Sequence, residues 1–160
     1  MTGPRLNNTT FRPLLALPRI CVLELDIAHP LDIDDELIAS MASAWRGLVR
    51  LSLCVGGPRA QPDLDLSDFI PVRGATLFGL VPFALFCPEL AWLGLPLDVD
   101  LWRNAWALHG RPGCGAALSE MIVLDVGLSV LYDPVPIAAF LSDLFPSLEG
   151  VRTAWRGVRE

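Results

Sequence analysis

Two histidines, four cysteines and one dense run of carboxylates are the residues of this 160-residue chain whose types could carry metal or catalytic chemistry. Their spacing argues against it. Cys21, Cys54, Cys87 and Cys114 are far apart, with no C-x-x-C pair, and His29 and His109 stand alone, so a zinc site would need ligands from distant segments. The cysteines read instead as free thiols acting as small hydrophobes in a reducing compartment. The run Asp32, Asp34, Asp35, Glu36 lacks the glycine and the closing glutamate of a calcium loop. It opens a helical pattern, where the dipole and the free backbone N–H groups favour negative charge; Asp32 is expected to cap that helix, with Asp35 three residues on. "VGGPR" and "GRPGCG" are glycine-rich, but neither is followed by Lys-Ser or Lys-Thr. No G-x-G-x-x-G or G-x-S-x-G occurs. Nothing positive argues for a catalytic residue, a cofactor or a metal.

Composition narrows the partners. The formal net charge is -6, the pI is near 4.8 and lysine is absent, so the clustered cations that bind nucleic acid or an anionic membrane surface are missing. The hydrophobic fraction is 52% and mean hydropathy is +0.47, high for a chain of one-domain length. The most apolar stretch, Ala75 to Leu97, carries Glu89 as its only charge. Pro82, Pro88 and Pro96 together with the central Glu89 oppose a membrane span there. Near the N-terminus, Pro13 and Pro18 break the short apolar run and no small-residue cleavage site follows. An intracellular location, cytoplasmic or nuclear, is expected.

The elements that position the remaining polar residues come from a repeat. The pattern apolar-x-x-apolar-x-apolar occurs at Ile20/Leu23/Leu25, Leu48/Leu51/Leu53, Leu90/Leu93/Leu95 and Met121/Leu124/Val126, and begins again at Leu148/Val151. Its central positions lie 28, 42, 31 and 27 residues apart. Pro18, Pro88 and Pro146 stand two residues before the pattern, where a proline marks a helix handing over to a strand. Bulky or apolar Leu17, Trp45, Cys87 and Phe145 precede the junctions. Upstream lie "LDIDDELIASMASAW", with Leu37, Ile38, Met41 and Trp45 at helical spacing, and "VPIAAFLSDLF", with Ile137, Phe140, Leu141, Leu144 and Phe145 on one face. A third helical stretch, "TLFGLVPFALF", is interrupted by Pro82. Each unit is thus a short strand, a loop, a helix and a return. Such units bury their apolar faces only by stacking, which predicts an α/β leucine-rich repeat solenoid with a curved parallel sheet of four to five strands and helices on the convex side. The whole chain, residues 1–160, is expected to be one repeat domain or fragment, with irregular inserted loops around 55–75 and 98–117.

With the Leu ladder inward, alternation sends the intervening residues to the other face: Val22, Glu24 and Asp26; Arg50, Ser52 and Cys54; Trp92, Gly94 and Pro96; Val123, Asp125 and Gly127. Trp92 and Arg50, ringed by Glu24, Asp26, Ser52 and Asp125, form the candidate partner-binding set, since Trp and Arg dominate interface energetics.

"CPELAWLGL" resembles the C-P-x-L-x-x-L-x-L segment of leucine-rich repeats in F-box type proteins. "LELDIAHPLDIDDELIASMASAWRGLVRLSL" and "AAFLSDLFPSLEGVRTAW" resemble the leucine-rich repeat region of F-box-like proteins of basidiomycete fungi. The resemblance spans about Leu14 to Trp155. It implies a non-catalytic protein-binding module, the substrate-recognition repeats of a ubiquitin ligase subunit. No F-box is found in the sequence, so docking on a Skp1-like adaptor would require one outside these residues. The alternatives from other classes are a small α/β enzyme with an unrecognised site and a truncated, nonfunctional repeat fragment.

Overall fold

The computed structural model describes residues 6–26, 31–53, 74–98, 115–127, 129 and 134–153. In chain order the elements are β1 (Leu6–Asn7), α1 (Asn8–Phe11), a 3-10 turn Arg12–Ala16, β2 (Val22–Leu25), β3 (Leu31–Asp32), α2 (Asp35–Ala44) and β4 (Arg50–Leu53). There follow a 3-10 turn Leu77–Leu80, α3 (Val81–Phe86), β5 (Trp92–Gly94), β6 (Val123–Asp125), α4 (Pro134–Leu144) and β7 (Gly150–Arg152). The fold is mixed α/β. Strands β2-β4-β5-β6-β7 form one parallel sheet in sequential order, β1 and β3 form a separate two-stranded parallel pair, and no barrel closes among the described residues.

The register aligns the repeat. Leu23, Leu51, Leu93, Leu124 and Val151 pair successively across the sheet, flanked by the rows Val22-Arg50-Trp92-Val123-Gly150 and Glu24-Ser52-Gly94-Asp125-Arg152. Leu51, Leu93 and Leu124 are fully buried and share one core with Leu37, Ile38 and Met41 of α2, Phe83 of α3 and Phe140 and Leu144 of α4. Each fully buried leucine contributes about 1.5–3 kcal/mol through the apolar area it withdraws from water.

A tight turn connects helix to strand. The N–H groups of Leu48, Leu90 and Leu148 donate to the carbonyls of Trp45, Cys87 and Phe145, at 2.9, 3.1 and 3.1 Å. Those three residues in turn donate to Met41, Phe83 and Leu141, closing the last turn of each helix. Pro88 and Pro146 occupy the turn, where a missing N–H leaves no orphan and the fixed φ favours the bend. Leu118 takes the corresponding place before β6 without a helix ahead of it among the described residues; its N–H donates to Leu144 O at 2.8 Å.

Three details differ from expectation. Asp32 is not the helix cap: it lies in β3, paired with Asn7. The cap is Asp34, whose backbone is extended and whose carboxylate accepts the Leu37 N–H at 2.9 Å. That bond holds its carboxyl below the usual range, against partial burial and with help from Asn8 Nδ2. Asp35 reaches the next unit instead, accepting from Thr76 N and Thr76 Oγ1, both at 2.7 Å. Pro82 does not break "TLFGLVPFALF"; it sits at the start of α3, where its lack of an N–H is harmless, and the preceding turn is 3-10 with Thr76 as cap. Finally, Leu23 and Leu25 are only half-buried, because β2 is an edge strand with a neighbour on one side.

The inserted loops fall mostly on residues 54–73 and 99–114, which lie outside the described residues, as do Cys54, Cys114, His29 and His109.

Candidate interaction face

Alternation along each strand turns one row of side chains into the core and its neighbours the other way. The consequence at β5 is that Leu93 is buried in the ladder while Trp92 lies half-buried on the opposite face. Trp92 is paired in register with Arg50 on one side and Val123 on the other. Two guanidinium groups stack on its ring: Arg50 lies 4.0 Å from the ring centroid and Arg152 4.6 Å. They come from opposite sides of β5, since β4 is its neighbour on one side and β7 lies beyond β6 on the other. Arg152 reaches across β6, over positions occupied by Val123 and Asp125. Gly94, which has no side chain, leaves that row low beside Trp92. Each stack is worth about 0.5–1 kcal/mol where water remains nearby.

Arg50 also forms an ion pair with Glu24, diagonally across β2 and β4, and both side chains remain partly exposed. Ser52 lies between Glu24 and Gly94 in register and is half-buried. Asp125 pairs with Gly94 and Arg152, but one carboxylate oxygen accepts the N–H of Gly127 at 3.0 Å, so it is partly committed to shaping the turn after β6. Gly127 makes that turn with φ 56°, in the left-handed region open to glycine. Asp26 is exposed just beyond the end of β2. Pro96 and Gly127, expected to face outward, are buried. The six candidate residues therefore divide. Trp92, Arg50 and Glu24 form one connected cluster, Ser52 and Asp125 line its next row, and Asp26 stands apart.

Sequence reasoning missed Arg152, which completes the stack. The signal was present, because continuing the last repeat two positions past Glu149-Gly150 places Arg152 in the column of Glu24, Ser52, Gly94 and Asp125.

No group of three His, Cys, Asp or Glu residues is placed to hold a metal among the described residues. Cys87 is buried, its thiol directed at the carbonyls of Ala42 and Trp45 at 3.5 and 3.4 Å. Burial pushes that thiol up to about 11, only weakly opposed by Arg46, so it stays protonated and non-nucleophilic at neutral pH. Cys21 is exposed and unbridged. No helix among the described residues is long and apolar enough to cross a membrane. Neither family models, nor curated proteins, nor solved structures give a significant match to this chain.

Proposed function

We propose that this chain is a non-catalytic protein-recognition module, a leucine-rich repeat solenoid whose Trp92 face is the binding surface. The single observation that carries the reading is the Trp92 ring stacked between Arg50 and Arg152 on the sheet face away from the helices. Trp and Arg are the side chains that concentrate binding energy at interfaces, and here the stack and the Glu24 ion pair hold Arg50 in place before any partner arrives. The in-register leucine ladder and the repeated helix-to-strand turn support the solenoid reading. The resemblance to F-box-like repeats adds the class of partner: a protein selected for ubiquitination, with a Skp1-like adaptor bound through an F-box supplied outside these residues. A cytoplasmic or nuclear location goes with that role.

Quantitative affinity purification from cells, comparing the unsubstituted chain with Trp92→Ala, tests it. The expected result is a specific protein set enriched on the unsubstituted chain and lost from the variant, with unchanged far-UV circular dichroism. Equal recovery on both, with Trp92→Ala folded, would sink the assignment of this face.

A further inference from the structure

Five strands in sequential parallel order leave two edges, β2 and β7, and the burial of the repeat declines at both. In the interior units the ladder residues Leu51, Leu93 and Leu124 are 0% exposed, whereas Val151 on β7 is 41% exposed and Leu23 on β2 is half-buried. The residue before the turn shows the same decline at the β2 edge alone: Trp45, Cys87 and Phe145 are buried, and Leu17 ahead of β2 is 53% exposed. Val22, on the outer row of β2, is 58% exposed.

The backbone shows what each edge is missing. One carbonyl at the start of every strand accepts from the next strand in the sheet. Cys21 O accepts from Val49 and Arg50, at 2.7 and 3.1 Å, Val49 O from Ala91 and Trp92, at 2.9 and 3.3 Å, and Ala91 O from Ile122 and Val123, at 3.0 and 3.2 Å. Ile122 O continues the series by accepting from Glu149 at 2.9 Å. Glu149 is the next position, and no strand follows β7 among the described residues to supply its donors. At the other end, the N–H groups of Cys21 and Val22 hold the donor positions in the same series, and among the described residues no strand lies beside the outer edge of β2 to receive them. One edge lacks what the other offers.

Charge agrees with this pairing. Continuing the observed register past β7 sets Gly150 beside Val22 of a second copy, Val151 beside its Leu23 and Arg152 beside its Glu24. Opposite charges facing each other on adjacent strands are favourable, and Glu149 would stand near Arg19 of the second copy, a second opposite pair. All four charged residues are exposed. Arg152 leans on Trp92 in the single chain, and a rotamer change of this exposed side chain carries its guanidinium outward.

We propose that the β7 edge of one copy of this chain docks in parallel on the β2 edge of a second copy, burying Val151 against Leu23 and pairing Arg152 with Glu24. The two surfaces differ, so the contact is head-to-tail and each added copy presents a fresh edge. This goes beyond the recognition face, because the docking surfaces are the sheet edges; Glu24 and Arg152 belong to both, so docking exchanges their contacts with Arg50 and Trp92 for contacts with the second copy.

Sedimentation velocity on the full chain over increasing concentration tests the proposal. The unsubstituted chain is expected to form a ladder of oligomers that lengthens with concentration, and Glu24→Arg and Arg152→Glu are each expected to stay monomeric. In an equimolar mixture of the two variants, Arg152 of the Glu24→Arg chain meets Glu24 of the Arg152→Glu chain, and the two substituted edges again face each other with opposite charges. The mixture is expected to recover a ladder of alternating chains. A variant that failed to fold could not restore assembly in the mixture; if Glu24→Arg loses its circular dichroism signal, Val22→Pro, which removes an outward N–H from an edge strand, takes its place, expected to stay monomeric alone and to give a dimer and nothing larger with Arg152→Glu, because only the pair of Arg152 with Glu24 remains. An unsubstituted chain that remains monomeric throughout, variants that assemble as it does, or a mixture that stays monomeric would each overturn the proposal.

Discussion

The two faces of the five-stranded sheet are built by neighbouring residues under opposite rules. Behind it, Leu51, Leu93 and Leu124 are interchangeable in kind and completely buried. In front, Arg50, Trp92 and Val123 occupy equivalent places with nothing in common but their position. A position that must fill a fixed space between strand and helix tolerates one shape and one polarity, because interiors are packed to crystal density. A position facing away from that space is constrained only by its neighbours in the row. The fold is therefore carried by one face, which leaves the other free to carry specificity.

That contrast can be broken most sharply at Leu93, one residue from Trp92. Leu93→Ala is expected to cost about 2–5 kcal/mol in urea unfolding, because it leaves a cavity at the middle of the ladder. A loss below about 1 kcal/mol would mean the buried face is not a rigid core. Gly79→Ala probes the helix layer behind it. A methyl group there would press on the Asp35 carboxylate, which is already held by two bonds from Thr76, so a loss of about 1–3 kcal/mol is expected, read in the same way. Asp34→Ala removes the α2 cap, at about 1 kcal/mol at neutral pH. The Asp34 carboxyl is more acidic folded than unfolded, so its contribution is complete above the unfolded value near 3.8 and fades as pH falls through the lower folded value. The gap between Asp34→Ala and the unsubstituted chain should narrow across that acid range, and a gap independent of pH would contradict the charged cap. Smallest of all, Arg152→Ala on the front face should change stability by about 0.5–1 kcal/mol, the value of one exposed stack on Trp92, while quenching or shifting the indole fluorescence signature of that stack. If it cost as much as Leu93→Ala, the division between the faces would fail.

The buried face was the legible one. A leucine at fixed spacing, preceded by a proline turn, records the ladder because burial leaves few other residues acceptable, and Leu23, Leu51, Leu93, Leu124 and Val151 all fell in register. What escaped was decided by geometry rather than residue type. Asp32, Asp34 and Asp35 are chemically near-identical, and only the extended backbone at Asp34 selects the cap. Arg152 belongs to the front cluster through its reach across β6, a distance no strand pattern records. Half-burial of Leu23 follows from β2 having a single neighbour, a property of its place in the sheet and not of its own sequence. Asp26 matched the alternation but lies beyond the strand end, where alternation no longer dictates direction.

The turn bonds from Leu48 to Trp45, Leu90 to Cys87 and Leu148 to Phe145 are nearly the same length although 42 residues separate Leu51 from Leu93 and only 27 separate Leu124 from Val151. Each junction is thus a self-contained clip that takes no account of how much chain was paid out to reach it.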